Sequence, residues 1–263
     1  MGLTKNLRDL WLHRELLYTL TKTEVVARYK QTFFGLGWSL LQPIMQAAVY
    51  TVAFQFILRS KGAEGVPYIN FVFANLTLWM FFSSGTVTAM SSLQANAGLV
   101  RKVSFPREII PLAKILSGLF DFSIAFLVMI LLNAISGFYP NLRFVYLPGI
   151  LLIEILFIIN LSLVLSVLAA VRRDVTYVVV FLINLYMFVS PVFFPMSALP
   201  EFFQRLYYLN PMGTLLDAFK NVVFYNHEPR WYALAVVIII LIGLFFPIYA
   251  YFKRSEHLFA DIA

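Results

Sequence analysis

Runs of apolar residues long enough to cross a bilayer recur along the chain, and no other feature restricts its fold as strongly. About 30 Å of hydrocarbon calls for roughly 20 residues of α-helix. Six segments reach or approach that length: 34–58, 68–92, 109–135, 147–171, 176–194 and 231–251. Backbone in lipid must satisfy its own hydrogen bonds, so these runs predict helices and an all-α, polytopic membrane protein. Composition agrees, because only 13% of the 263 residues are charged, against about 25% in soluble domains.

An even number of spans puts both termini on one side. Thirteen lysines and arginines fall in the N-terminal tail, the loops after the second and fourth spans, and the C-terminus, against six in the opposite loops. The positive-inside rule then places both termini in the cytoplasm. This topology accounts for the formal charge of +7, so no nucleic acid is expected as a partner. Cysteine is absent, which excludes disulfides and thiolate metal sites. No cleavable leader is expected, since mixed-charge residues precede the first apolar run.

The chain divides into an N-terminal segment, 1–33, and a six-span domain, 34–263. In the first, Leu3, Leu7, Leu10, Trp11, Leu17 and Tyr18 recur at roughly helical spacing. This pattern predicts an amphipathic helix, either lying on the cytoplasmic membrane face or packed on a partner protein. Between the fifth and sixth spans, about 191–226, two short helices are expected. "SALPEFFQRLYYL" offers Ser197 as a cap and Pro200 in a first turn, and "NPMGTLLDAFKNVVF" offers Asn210 as a cap with Pro211 following. Each is too short to cross, so they form a re-entrant pair or lie flat at the interface.

Catalytic chemistry is hard to find. There is no phosphate-cradling G-x-x-x-x-G-K-[ST], no H-E-x-x-H and no G-x-S-x-G. His13, His227 and His257 fit no ligand spacing. No catalytic residue, metal site or cofactor is expected in this chain. Asp121 and Glu154 fall inside spans, where a carboxylate is costly unless paired or protonated. Lys114 lies two turns from Asp121 on the same face. A structural ion pair, pairing with a neighbouring helix and a proton relay all remain open. Tyr50, Phe54, Trp79, Phe82, Phe193, Phe194, Tyr207 and Tyr208 gather toward the outer side. They form a headgroup belt or a path on which sugar rings stack.

"RYKQTFFGLGWSLLQP" (Arg28–Pro43), with Tyr29, Gly35, Gly37, Trp38 and Pro43 at set intervals, resembles the start of the first span in ABC-2 type permeases that export polysaccharides. "LVRKVSFPREIIP" (Leu99–Pro111) is similar to the family's first cytoplasmic loop. Arg172-Arg173-Asp174-Val175, "YLNPM" (Tyr208–Met212) and the closing "FADIA" are similar to further family features, in the same order along the chain.

The resemblance implies a homodimer in the bacterial cytoplasmic membrane that meets two separate ATP-binding cassette subunits, which carry the ATP and Mg. It implies a cargo of polysaccharide on undecaprenyl pyrophosphate, such as O antigen, capsule or teichoic acid. It also implies that the loop carrying Arg101, Lys102, Phe105, Pro106, Arg107 and Glu108 couples to the ATPase, with Arg172, Arg173 and Asp174 as a second contact. Arg28 and Lys30, with Lys22 and Arg14 behind them, are placed to meet a pyrophosphate or to anchor the tail to anionic lipid. Gly35 and Gly37 would let helices approach closely, Trp38 would anchor at the interface, and Pro43 would kink the span. Two other classes make different demands. An ion-driven secondary transporter needs repeats or several polar groups at the midplane, and an intramembrane enzyme acting on polyprenyl-linked sugars needs acids or histidines clustered at one depth. Asp121 alone clearly lies at the midplane.

Overall fold

Apolar runs set where the helices form, and prolines and capping residues set where they stop. The computed structural model describes residues 3–30, 35, 37–57, 65–172 and 174–256, and among these every regular element is a helix. The order is α1 (Leu3–Leu12), α2 (Arg14–Tyr29), α3 (Gly37–Thr51), which runs on into a π-helical turn (Val52–Ile57), α4 (Tyr68–Ala95) and α5 (Ala97–Lys102). Then follow α6 (Ile109–Ile135), α7 (Leu147–Val171), α8 (Asp174–Val189), α9 (Glu201–Tyr207), α10 (Pro211–Val223) and α11 (Trp231–Arg254). The ending "FADIA" lies outside the described residues.

Among the described residues, four segments are long and apolar enough to cross a membrane: Tyr68–Ala95, Ile109–Ile135, Leu142–Val171 and Trp231–Arg254. Their bounds follow the sequence expectation closely. Of the other two expected spans, 34–58 is described only over residues 35 and 37–57, and 176–194 is shorter than expected. α3 has 15 residues before π geometry takes over, and α8 has 16. The expected 176–194 span stops at Val189 because Pro191 has no N–H to donate and disfavours helical geometry at Ser190.

α4 is the axis of the bundle. It packs on α3, α6, α7, α8 and α10, and it is the most enclosed of the four long segments. Enclosure by protein lets it carry polar side chains that lipid would reject. Asn70, Asn75, Thr77, Thr86 and Ser92 are all buried. Asn70 donates to Asn133 Oδ1 on α6 at 2.9 Å and accepts from Ser136 at 3.2 Å.

Residues 190–195 leave the helical path inside the bundle, so their carbonyls need donors other than water. α4 and α10 supply them. Asn75 Nδ2 donates to the Val192 carbonyl and the Tyr68 hydroxyl to the Phe193 carbonyl, both at 2.8 Å. Lys220, on α10 and buried, lies 3.4 Å from the Pro191 carbonyl and 5.1 Å from the Phe71 ring centroid.

Of the two short helices, α10 is interior and α9 is not. Asn210 caps α10 by accepting from the Gly213 N–H at 3.1 Å, and Pro211 follows at the first helical position. The stripe Met212, Leu215, Leu216, Phe219, Val222 and Val223 is buried throughout, whereas Phe202, Phe203 and Leu206 on α9 are exposed. Pro200 rather than Ser197 precedes α9, and Ser197 falls in a separate 3-10 turn. Leu199 is held extended by the following proline, which separates the two.

The N-terminal arm also departs from expectation. It breaks at His13 into two helices. Leu10, Leu16, Leu17 and Leu20 pack on an apolar cluster that includes Val100, Ile109, Ile110 and Phe252, while Trp11 and Tyr18 are exposed. One face of the arm is therefore committed to the protein itself. The same end of the bundle is tied by Glu108. Its buried carboxylate accepts from the Tyr249 hydroxyl at 2.7 Å and from Lys253 Nζ at 2.8 Å, and Lys253 also pairs with Glu256. Glu108→Ala leaves Lys253 and Tyr249 without this acceptor, and a loss of about 3 kcal/mol is expected. Thermal unfolding of the detergent-purified protein measures it. The Glu108→Ala/Lys253→Ala double variant should recover part of the loss.

Candidate functional site

Asp121 lies near the middle of α6, about 18 Å along the helix from Ile109 at 1.5 Å per residue. A carboxylate at that depth requires a partner, and α2 brings one. Arg28 pairs with one Asp121 oxygen, and the Tyr29 hydroxyl donates to the other. Arg28 also donates to Ser117 Oγ at 3.2 Å. One turn earlier on α2, Glu24 pairs with Lys114. Residue numbers rise together along both helices, so α2 and α6 run side by side in the same direction. Pairing with a neighbouring helix is thus the role Asp121 has here. Lys114, two turns away on its own helix, is taken by Glu24. The end of the arm runs alongside the first half of α6 and pairs with it as far as the helix midpoint.

This ion pair forms one wall of a cavity of about 250 Å³. α3 contributes Trp38, Ser39, Gln42 and Pro43. α4 contributes Thr77, Phe81, Ser84 and Thr88, spaced i, i+4, i+7 and i+11 so that they share one face. Phe122 of α6 completes the lining. Gly35, between α2 and α3, has a φ of +51° and open space where a Cβ would stand, so it serves a left-handed turn and no close helix contact. Pro43 is buried inside α3 against the cavity.

The other candidate cations do not enter the cavity. Arg14, Lys22 and Lys30 are exposed, and Arg14 lies over the Trp11 ring. In the loop between α4 and α6, Arg101 and Lys102 are exposed at the end of α5. Phe105 and Glu108 are buried, and Pro106 is half-buried. Arg107 donates to the Val100 and Val103 carbonyls and rests over the Phe105 ring. The loop is therefore a braced platform. Its surface belongs to Arg101 and Lys102, while Phe105, Arg107 and Glu108 hold it in place. Arg172 is exposed between α7 and α8, and Asp174 opens α8 where a negative charge suits the helix N-terminus. Arg173 lies outside the described residues.

The aromatic group divides. Trp79, Phe82 and Phe193 are buried within the chain. Phe82 stacks on Phe157, Trp79 packs on Tyr186, and Phe193 stacks on Phe54 with Tyr50 beside it. These three rings are core and present no face to a passing polymer. Phe194, Tyr207 and Tyr208 are half-buried. Tyr207 donates to the Val189 carbonyl, and Tyr208 lies under the Arg230 guanidinium. Glu154 is fully buried on α7, lines an apolar cavity with Phe126, Leu151 and Phe219, and its oxygens have no hydrogen-bond partner among the described residues.

Two parts of this site were visible in the sequence and went unread: the Thr77, Ser84, Thr88 face of α4 and the opposite charges of Glu24 and Lys114. If the Arg28–Asp121 pair locks α2 to α6, Arg28→Met and Asp121→Leu should each destabilise the purified protein. A double-mutant cycle should give a coupling energy of about 1–3 kcal/mol. Additive losses in thermal unfolding would mean that the pair contributes nothing.

Comparison with known proteins bears on the whole chain. A family model described as ABC-2 type transporter matches residues 15–224. The chain is 30% identical over 242 residues to the O-antigen export system permease protein RfbA of Myxococcus xanthus, covering 89% of this chain and 91% of that protein. It is 26% identical over 255 residues to a Klebsiella pneumoniae protein of the same name, covering 94% and 95%. With its long apolar helices and its near full-length similarity to permeases, the chain belongs to the ABC-2 type transporter family, as a multi-pass membrane subunit of a transporter and not an enzyme.

Proposed function

We propose that the protein is the permease subunit of an ABC transporter that exports O antigen, or a related lipid-linked polysaccharide, across the bacterial cytoplasmic membrane. The observation that carries this reading is similarity along nearly the whole chain to permeases named for O-antigen export. Teichoic acid and capsule are the alternative cargoes of the same machine. Two copies of the chain flank the export path, and two ATP-binding subunits with ATP and Mg supply the work. α3 with its π turn, and α8, complete six spans with both termini cytoplasmic. α9 and α10 enter and return on the outer side.

Each remaining part takes one task. Arg101 and Lys102 meet the ATPase, with Arg172, Arg173 and Asp174 beside them. The braced loop passes the motion to α11 through Glu108 and Lys253. Lys22, Lys30 and Arg14 are exposed and offer charge to the pyrophosphate head group on entry. Arg28 is already neutralised by Asp121 and is less suited to that task.

Reconstituted vesicles with the partner ATPase should show ATP-dependent movement of lipid-linked polysaccharide. Arg101→Glu with Lys102→Glu should cut export at least tenfold, with normal membrane insertion and with ATP hydrolysis no longer stimulated by cargo. Export at the wild-type level in that variant would remove the loop from coupling. Absence of ATP-dependent movement with the wild-type chain would overturn the function.

A further inference from the structure

The cavity behind the Arg28–Asp121 pair suits a different part of the cargo from the one its arginine suggests. Its two charged residues, Arg28 and Asp121, cancel each other. The next pair down, Glu24 with Lys114, cancels too. A pyrophosphate entering here would have to break an ion pair at mid-membrane depth and strand Asp121, at high cost. A neutral ligand rich in hydroxyls meets no such penalty.

The lining matches such a ligand. An ionised carboxylate offers about four acceptor sites, and Asp121 spends one on Arg28 and one on Tyr29. Arg28 has five N–H donors, and those not facing Asp121 and Ser117 have no partner among the described residues. The Gln42 amide adds both a donor and an acceptor. Thr88 directs its hydroxyl hydrogen to the Ser84 carbonyl at 2.7 Å, which leaves its oxygen as an acceptor. Phe81 and Phe122 supply apolar ring surface. Carboxylate, amide, hydroxyl and guanidinium groups around aromatic rings are the set that binds a sugar, whose hydroxyls both donate and accept and whose C–H faces are apolar. Pockets for drug-sized ligands begin near about 300 Å³, so a cavity of about 250 Å³ is scaled to one pyranose ring and excludes a polymer coil. Gln42 and Ser84 are exposed, so the cavity opens between α3 and α4.

We infer that this cavity is a subsite for a single uncharged sugar residue of the exported glycan, bound by Asp121, Arg28 and Gln42 and separate from the cations that meet the pyrophosphate. The inference rests on the polysaccharide-export reading and names which part of the cargo this site holds.

The test uses the permease with its ATPase in nanodiscs and isothermal titration calorimetry. One probe is the encoding strain's own surface polysaccharide released from its lipid and phosphate, and the other is inorganic pyrophosphate. The free polysaccharide should bind, and pyrophosphate should not displace it. Gln42→Ala should weaken binding about tenfold. Ser84→Phe, which projects a ring into the opening from an exposed position, should abolish binding while the complex stays monodisperse. Free polysaccharide that fails to bind, binding displaced by pyrophosphate, or wild-type affinity in both variants would each overturn the subsite. ATP-dependent export by the same preparation keeps the two ideas apart. Export without cavity-dependent binding sinks only the subsite, whereas no export of any polysaccharide sinks the function beneath it.

Discussion

Backbone groups buried away from water must find partners within the protein, and the strictest test of that rule here is the irregular stretch 190–195. Its carbonyls at Pro191, Val192 and Phe193 are met by Lys220, Asn75 and Tyr68. Without those donors the chain would have to stay helical to the membrane edge, and α10 could not lie inside the bundle. With them, α10 buries a full apolar stripe against α4, α7 and α11. The polar content of α4 follows from the same need. A helix ringed by protein can hold asparagines that a lipid-facing helix cannot.

The same economy of partners explains the other half of the molecule. Asp121 is tolerated at the middle of α6 because α2 climbs to it carrying Arg28 and Tyr29. Glu24 and Lys114 set the register one step earlier. The N-terminal arm packs on protein along α6, and a largely apolar cavity edged by Arg28, Asp121 and Gln42 forms where arm, α3, α4 and α6 converge. At the basic end, Glu108 fastens the loop after α4 to the end of α11. A push on the exposed Arg101 and Lys102 therefore falls on a connected frame.

Much of the fold is legible in the sequence. Length and apolarity located the four long segments within a few residues, and Asn210-Pro211 marked the start of α10. The errors share a cause. Val189 ends α8 early because of a proline two residues on, and Pro200 displaced Ser197 from the cap, both local effects of a missing N–H. Trp79, Phe82 and Phe193 fit a headgroup belt or a sugar path by type, yet they are buried, because aromatic type says nothing about which way a ring points. The candidate site was less legible. Arg28 stands out in the sequence by its charge, but its neutralising partner, Asp121, lies on a helix far along the chain.

What the sequence determined by itself is everything that depends on near neighbours: which segments are apolar, where helices start and stop, and which side the cations favour. Helix formation in lipid is a local transaction, because each backbone group bonds four residues away. What only the tertiary structure decided is how charges and donors meet. Asp121 with Arg28, Glu108 with Lys253 and Lys220 with the Pro191 carbonyl are pairs whose members no local rule connects. Burying a charge or a carbonyl without water makes its partner obligatory, and only packing selects which distant residue supplies that partner.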